Sequence, residues 1–276
     1  MNYEKLKDDI RNYGKRDLEQ RKHWYSPAAE AYNRVRPKYP KAVIDQVGAI
    51  AHLSNQSRLL EIGCGPGTAT VSFAQFGGPM VGLEPNPDFY RLAQQNCAAY
   101  PNVTFHNTSF EEWPLEANAF DAAIAASSFH WISSDVGYPK VANALRDDGY
   151  LILLWNKELQ PSYKVYQQFS KLYQSHAPSL DRYEDRETQD RIVTGLGQMC
   201  VDSGYFQIVA AGQVWSDVTY TADEYLMLLN TYSPYLQLEP ANKAALFNGL
   251  RHQIETELGN QIQLFHLSAF HVAQKA

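Results

Sequence analysis

The sequence contains little cysteine and no long apolar run, and each of these features argues against particular classes of protein. Its three cysteines, Cys64, Cys97 and Cys200, lie far apart and include no C-x-x-C pair. This usage is typical of reduced thiols in the cytosol and gives no metal-site spacing. No apolar segment approaches the roughly 20 residues that span a bilayer. The polar first 22 residues predict no signal peptide. We therefore expect a cytoplasmic protein without a membrane partner or a metal site.

Basic residues are also few. The 24 lysines and arginines are outnumbered by 30 aspartates and glutamates, so the net charge is −6 and the pI is near 5.7. Proteins that bind nucleic acid usually present a basic face, so this balance argues against a nucleic-acid partner. The 276 residues, 45% of them hydrophobic, suffice for one large α/β domain or one domain with an insertion.

The most informative stretch is LLEIGCGPGT, residues 59–68. An apolar strand ends near Glu61, and a turn with three alternating glycines follows: Gly63, Gly65 and Gly67. Glycine is needed where the backbone takes a positive φ or approaches a ligand closely. A strand, a glycine turn and a helix N-terminus together form a nucleotide-type cradle. A dinucleotide fingerprint would need its third glycine where Thr68 stands.

The pattern E-x-G-x-G-x-G that starts at Glu61 resembles motif I of the class I S-adenosylmethionine (SAM) dependent methyltransferases. The run SFHWI over 128–132 resembles the fourth motif of that family, in the subgroup that includes trans-aconitate-type and ubiquinone-biosynthesis-type enzymes. The resemblance covers about residues 27–156. It implies a Rossmann-like α/β fold with a doubly wound, seven-stranded, mostly parallel sheet and an inserted helical cap. It also implies SAM as the cofactor and a small-molecule acceptor, with O-, N- and C-methylation left open.

Alternating apolar and helical patterns support this fold from the residues themselves. We predict seven strands, at 58–62, 80–84, 103–106, 120–126, 150–155, 206–220 and 261–273. We also predict a turn at Asp147–Gly149, a capping box at Thr221–Glu224 and a helix that Pro234 ends. The expected organisation has three parts within one domain: an N-terminal arm or lid over 1–40, a SAM-binding core over 41–156, and the cap insertions with the last two strands over 157–276.

The resemblance assigns twelve residues to the cofactor: Glu61, Gly63, Cys64, Gly65, Gly67, Glu84, Pro85, Ser109, Phe110, Ala126, Ser127 and Arg34. Glu84 ends the second strand about twenty residues after the turn, where an acid accepts the ribose hydroxyls of a nucleoside. A solvated acid at a strand end is the alternative. Ser109 and Phe110 match the adenine-binding positions of the family, and a helix N-cap explains Ser109 equally.

Four aromatic residues are expected to border the acceptor and the transferred methyl group: Tyr32, Phe129, Trp131 and Trp155. His130 is our candidate general base. Packing against Trp131 also explains it, because transfer to a carboxylate or carbanion needs no strong base. Arg34 is our candidate partner of the cofactor carboxylate, since a guanidinium donates two parallel hydrogen bonds; a solvated linker is the alternative. A further set of tyrosines fits core packing or an acceptor pocket: Tyr163, Tyr166, Tyr173, Tyr225, Tyr232 and Tyr235.

Other functions fit the sequence less well. A dehydrogenase would need the missing third glycine, and an amino-methylating nucleic-acid enzyme would carry Asn/Asp-Pro-Pro-aromatic where Ala126–Phe129 stand. A cyclopropane-forming relative and a SAM-binding protein without turnover share the same cofactor motifs, and both stay open. The sequence does not indicate the oligomeric state.

Overall fold

The computed structural model describes residues 3–14 and 17–276. Residues 1, 2, 15 and 16 of the predicted N-terminal arm lie outside the described part. The helices in that part are α1 (Tyr3–Gly14), α2 (Leu18–His23), α3 (Ala29–Val35), α4 (Lys41–Ile50), α5 (Thr70–Ala74), α6 (Pro87–Asn96), α7 (Ser134–Ala144), α8 (Tyr163–His176), α9 (Arg186–Asp202), α10 (Ala222–Leu229), α11 (Ser233–Leu236) and α12 (Pro240–Glu257). None of these described helices is long and apolar enough to cross a membrane.

Within residues 3–14 and 17–276, eight strands form one sheet. They are β1 (Leu59–Ile62), β2 (Met80–Leu83), β3 (Val103–His106), β4 (Phe120–Ala126), β5 (Leu145–Asn156), β6 (Gln160–Pro161), β7 (Phe206–Thr221) and β8 (Gln261–Lys275). The main path runs β3-β2-β1-β4-β5-β8, with β7 beside β8. The first five strands are parallel, and β8 is antiparallel to β5 and β7. The predicted doubly wound, mostly parallel α/β fold is confirmed.

The sheet has one strand more than the seven expected. The extra strand, β6, is only two residues long and pairs with Leu264 and Phe265. β8 pairs with β5 only over residues 268–274, so the earlier part of β8 has backbone N–H and C=O groups without a partner in β5. The chain that follows β5 forms β6 and provides hydrogen-bond partners for some of these groups.

Both faces of the sheet are buried along its central strands. In β5, Leu151 and Leu153 belong to one apolar cluster and Ile152 and Leu154 to the other, and all four are inaccessible to solvent. Successive side chains of a strand point to opposite faces, so such an uninterrupted apolar run is what a strand covered on both sides requires. Helices α7 and α9 contribute to the first cluster, and α4 and α5 to the second.

A third apolar cluster forms the helical cap from α8, α10 and α12 and the start of β8. Tyr173, Tyr225 and Tyr235 are buried within it, and the hydroxyls of Tyr173 and Tyr235 are 2.7 Å apart. These three tyrosines therefore serve packing. Tyr163 is exposed and stacks on Tyr166, so neither residue belongs to this buried cluster core.

Two local predictions were wrong. Asp147–Gly149 does not separate a helix from a strand: α7 ends at Ala144, and β5 already begins at Leu145. The pairing of β4 with β5 jumps from Leu145 to Tyr150, so the turn-forming residues bulge out of the strand instead. Pro234 does not end α10. It lies in the first turn of α11, where a missing N–H costs nothing.

The predicted capping box at α10 is present and provides a test of the cap's stability. The Thr221 hydroxyl accepts the Glu224 N–H, and the Glu224 carboxylate accepts the Thr221 N–H at 2.9 Å. Thr221→Ala should lower the free energy of unfolding by about 1 kcal/mol, because a helix N–H loses its acceptor. Thr221→Ser keeps the hydroxyl and should stay close to the parent. Urea denaturation measures both, and equal losses in the two variants would contradict the capping role.

Candidate functional site

A cavity of about 620 Å³ lies at the carboxyl ends of β1, β2, β4 and β5. This is the edge at which open α/β sheets bind their ligands, and the volume lies within the usual range for small-molecule pockets. Residues of α1, α2 and α3 form the opposite wall, so the N-terminal segment covers the strand ends.

The glycine turn contributes backbone to the cavity wall. Gly63, Gly65 and Gly67 have φ values of +67°, +57° and +85°. A Cβ at Gly63 would lie 2.8 Å from that of Ser128, whereas a Cβ at Gly65 would have no protein atom within 4 Å. Gly65 lines the cavity. The turn therefore leaves open space at Gly65 on the wall of the cavity, as a cradle for a ligand requires.

Glu84 holds this turn in place. One carboxylate oxygen accepts the Gly65 N–H at 2.7 Å, and the other accepts the Asn86 N–H at 2.8 Å. Burial raises the pKa of Glu84 to about 7, although these two hydrogen bonds oppose the shift. Each carboxylate oxygen has a second lone pair, so Glu84 can still accept hydrogen bonds from a bound molecule in the cavity that it lines.

Two of the predicted cofactor residues, Glu61 and Gly67, do not line the cavity and instead pack behind the glycine turn. Glu61 is fully buried and accepts the Thr70 hydroxyl at 2.6 Å, while its other oxygen has no hydrogen-bond partner among the described residues. Burial, with a smaller contribution from Glu84, raises the pKa of Glu61 to about 8. Gly67 packs near Cys97. Cys64 does line the cavity, and burial raises the pKa of its thiol, so it is an inert small side chain.

Pro85, Ser109 and Phe110 lie together on the cavity wall, where the resemblance placed them. The Ser109 hydroxyl donates to Glu112 at 2.8 Å and accepts the Glu112 N–H at 3.2 Å. Ser109 caps a turn, although no helix follows it, and it lines the cavity. Its proton is committed to Glu112, so a contact with a bound ring would use other groups of this loop.

Backbone strain marks the end of β4. Ala126 and Ser127 line the cavity, and Ser127 has a φ of +54°, which is uncommon for a residue other than glycine. Its hydroxyl is 2.8 Å from the hydroxyl of Tyr39 and accepts the Asn156 N–H at 3.1 Å. These contacts hold a strained residue at the site, a combination common where a ligand is bound. No sequence pattern indicated it.

Three of the four predicted aromatic residues line the cavity: Tyr32, Trp131 and Trp155. These three residues are called the aromatic wall below. Phe129 does not, because it turns into the core and contacts Tyr138 with 4.8 Å between ring centroids. His130 also lines the cavity, 6.1 Å from Trp155 by ring centroids. Burial and then the charge of Lys157 lower the pKa of His130 to about 4, so its imidazole is neutral at pH 7 and weakly basic.

The structure does not bring Arg34 to the cavity. Arg34 is exposed on α3, whereas Arg36, two residues further on, lines the cavity. Residues two apart on a helix point in nearly opposite directions, so only one of the two can face inward. Arg36 donates to the Thr231 hydroxyl and carbonyl, both at 2.8 Å, and stacks 4.0 Å from the centroid of the Tyr232 ring.

Four charged residues of the cavity wall had no sequence signal. Lys157 and Glu158 follow β5, and Arg182 and Glu184 precede α9. They form two ion pairs, Lys157–Glu184 at 3.2 Å and Arg182–Glu158 at 3.0 Å. Each ion pair joins two residues that are more than twenty positions apart in the sequence, so no local pattern predicts it.

The N-terminal segment is tied to the rest of the cavity by polar contacts. Arg21 donates to the Trp131 carbonyl and to Glu111, the latter at 2.8 Å. The Asn86 amide donates to the Lys22 carbonyl at 2.7 Å. Because Asn86 is also the N-cap of α6, the cover over the cavity is anchored to the sheet beside Glu84.

Comparison with known proteins finds similarity to methyltransferases over part of the chain. Residues 59–149 match the family model described as a methyltransferase domain. An uncharacterised methyltransferase of Mycobacterium tuberculosis is 33% identical over 132 residues, which are 48% of this chain and 51% of that protein. A probable SAM-dependent methyltransferase of Saccharomyces cerevisiae is 24% identical over 54% of this chain and 52% of its own. The chain spans about half the length of the curated relatives it matches.

Solved structures share the fold over most of the chain. A putative type II methyltransferase from Anaeromyxobacter dehalogenans superposes with a TM-score of 0.59 at 19% identity, covering 87% of this chain and 97% of that one. The cyclase SpnF gives 0.53 at 17% identity and coverages of 93% and 94%. Residues 59–149 are thus similar to a methyltransferase domain, and the fold is one found in a solved putative methyltransferase, which supports the resemblance seen in the sequence.

Proposed function

We propose that the protein binds SAM in the 620 Å³ cavity and transfers its methyl group to a small-molecule acceptor. The observation that carries this proposal is the pairing of Glu84 with Gly65. A buried carboxylate with remaining acceptor capacity stands beside a glycine whose missing Cβ leaves open space. Ribose hydroxyls and an approaching nucleoside chain fit this arrangement.

The residues present fit the parts of SAM. Glu84 accepts the ribose hydroxyls, the Pro85, Ser109 and Phe110 loop holds the adenine, and Gly65 allows close approach of the backbone. A bound sulfonium supplies an already activated methyl group, so the protein's task is to hold donor and acceptor together. The aromatic wall and the N-terminal cover exclude water from that space.

His130 fits a supporting role better than that of a strong base. A group whose pKa is lowered to about 4 removes protons poorly from alcohols or phenols at neutral pH. Proton removal from the acceptor is therefore not assigned to this imidazole. Trp131 and Trp155, with ring centroids 5.7 Å and 6.1 Å from that of His130, fix the ring against the wall.

Calorimetric titration with SAM, S-adenosylhomocysteine (SAH) and NAD tests the proposal directly. We expect SAM and SAH to bind with dissociation constants of about 1–100 μM, because the cavity is preformed and partly apolar, and we expect no heat from NAD. Binding of NAD alone would show that the glycine turn serves a dinucleotide, and the proposal would be abandoned.

Gly65→Ala should abolish or strongly weaken SAH binding, because its methyl group would project into ligand space. Gly204→Ala is a matched control, since Gly204 also has a positive φ of +75° and also has no atom within 4 Å of an added Cβ, but does not line the cavity. Both changes carry a similar backbone strain of about 1 kcal/mol. Thermal unfolding reports that strain and calorimetry reports binding. Equal SAH affinity in the two variants would contradict the cradle.

Glu84→Gln should weaken SAH binding at least tenfold, roughly the value of one charge-assisted hydrogen bond. The parent's affinity should also depend on pH. Ribose hydroxyls donate to the carboxylate, and the raised pKa of about 7 means that protonation competes with binding below pH 7. Affinity should therefore fall by up to about tenfold per pH unit below 7 and level off above pH 8.

The matched control for this dependence is the Glu84→Gln variant itself, whose affinity should not follow the same titration. Calorimetry from pH 5.5 to pH 8.5 measures both proteins in buffers of about equal ionic strength. A parent whose affinity is constant over this range would show that Glu84 does not contact the ribose.

A further inference from the structure

One edge of the sheet is long and has no partner strand among the residues that the structure describes. β7 pairs with β8 from Phe206 to Thr221, and no described strand pairs with its other side. Its 16 residues exceed the usual strand length of about 3–10. The edge strands β3 and β6 have only 4 and 2 residues. β7 therefore presents a long row of backbone N–H and C=O groups to a further strand.

β7 lacks most of the features by which proteins protect a sheet edge. It contains no lysine, arginine or proline, and Asp217 is its only charged residue. Its one irregularity is the register shift between Ile208 and Ala210, near the start of the strand. Charges, prolines and bulges are the features that prevent strands of two molecules from pairing. The regular part of β7, residues 210–220, has none of them apart from Asp217.

The regular part of β7 is also accessible from one face of the sheet. Trp215 packs against Val193 of α9 on this face. Side chains alternate along a strand, so every second residue shares the face of Trp215. Four of these side chains are exposed: Ala211, Gln213, Asp217 and Thr219. The helix that packs on this face therefore leaves the edge open on both sides of Trp215.

Two copies of β7 match each other about a twofold axis perpendicular to the sheet. Such an axis makes the two strands antiparallel and pairs residues that share a face. With the axis at Trp215, the middle of the regular part, Gln213 lies opposite Asp217 of the second copy. An amide N–H donates to a carboxylate, and the symmetry forms this pair twice. The two carboxylates therefore face amides instead of each other.

We propose that a second copy of the chain binds this edge, by antiparallel pairing of the two β7 strands over residues 210–220. A strand of another protein would find the same backbone groups, but not the two reciprocal Gln213–Asp217 pairs. The edge carries one charge per copy in a chain of net charge −6, so the two copies meet where their repulsion is low. No residue of β7 lines the cavity, so the proposal is independent of the proposed function.

Sedimentation equilibrium from about 1 to 500 μM protein measures the association. We expect the mass to rise from 31.3 kDa towards twice that value, with a dissociation constant of about 1–100 μM because one strand pair is a small interface. Hydrogen exchange locates the contact. Amides of residues 210–220 that point away from β8 should exchange more slowly in the concentrated sample, because the second copy supplies their acceptors.

Charge changes at Gln213 test the register. Gln213→Glu places two like-charge pairs across the interface and should weaken dimerisation about tenfold. Gln213→Lys instead creates two pairs of opposite charge and should dimerise at least as tightly as the parent. Adding Asp217→Lys to Gln213→Glu should restore dimerisation. Gln207→Glu is the matched control, because it adds the same charge at an exposed position of β7 outside residues 210–220, and should have no effect.

Two results would overturn the proposal. A chain that stays at 31.3 kDa at about 500 μM would show that no second copy binds the edge, and would leave it to a strand of another protein. Equal dimer stability in the Gln213→Glu, Gln213→Lys and Gln207→Glu variants, or exchange at 210–220 that does not change with concentration, would show that the copies associate through another surface.

Discussion

The contact between the Glu84 carboxylate and the Gly65 N–H is the constraint on which the site depends. It joins the end of β2 to the turn after β1 and so fixes the φ values that open the cradle. The second carboxylate oxygen accepts the Asn86 N–H, and the Asn86 side chain holds the N-terminal segment through Lys22. One buried acid therefore organises the floor of the cavity and anchors its cover. A buried carboxylate is costly, and here backbone N–H groups compensate part of that cost.

Burial affects the acids of the site unequally. Glu61 and Glu84, behind and beside the glycine turn, have raised pKa values. The pKa of Glu158 is lowered, because Arg182, Lys157 and Arg36 oppose the effect of its burial. Glu84, which exchanges its proton near neutral pH, and Glu158, which stays ionised, therefore line one cavity together with aromatic side chains and the neutral imidazole of His130.

The sequence was sufficient for features that depend on neighbouring residues. The turn at 59–68, the strand ends around it and the capping box at Thr221 are local patterns, and the structure contains each of them. Apolar runs located the central strands because both faces of the sheet are buried there. The bulge at 146–149 escaped prediction since its turn-like composition is also compatible with a strand whose partner is shorter.

Side-chain direction and long-range assembly were beyond the same reasoning. Arg34 and Arg36 look equivalent in the sequence, and only the end of α3 decides which one faces the cavity. Phe129 lies in a motif whose neighbours line the cavity, but the helical turn over 129–131 directs it into the core. The ion pairs Lys157–Glu184 and Arg182–Glu158 join two segments more than twenty residues apart, so their members carry no shared spacing.

This separation explains why the cofactor is easier to infer than the acceptor. The glycine turn, Glu84, Ser109 and the end of β4 fall within residues 59–149, the range that the family model matches. Arg36 and the ion pairs Lys157–Glu184 and Arg182–Glu158 fall outside it. The same fold also occurs in a cyclase, so a shared sheet leaves the reaction open. Specificity in this chain is thus best sought in the side chains that line the cavity outside the range that the family model matches.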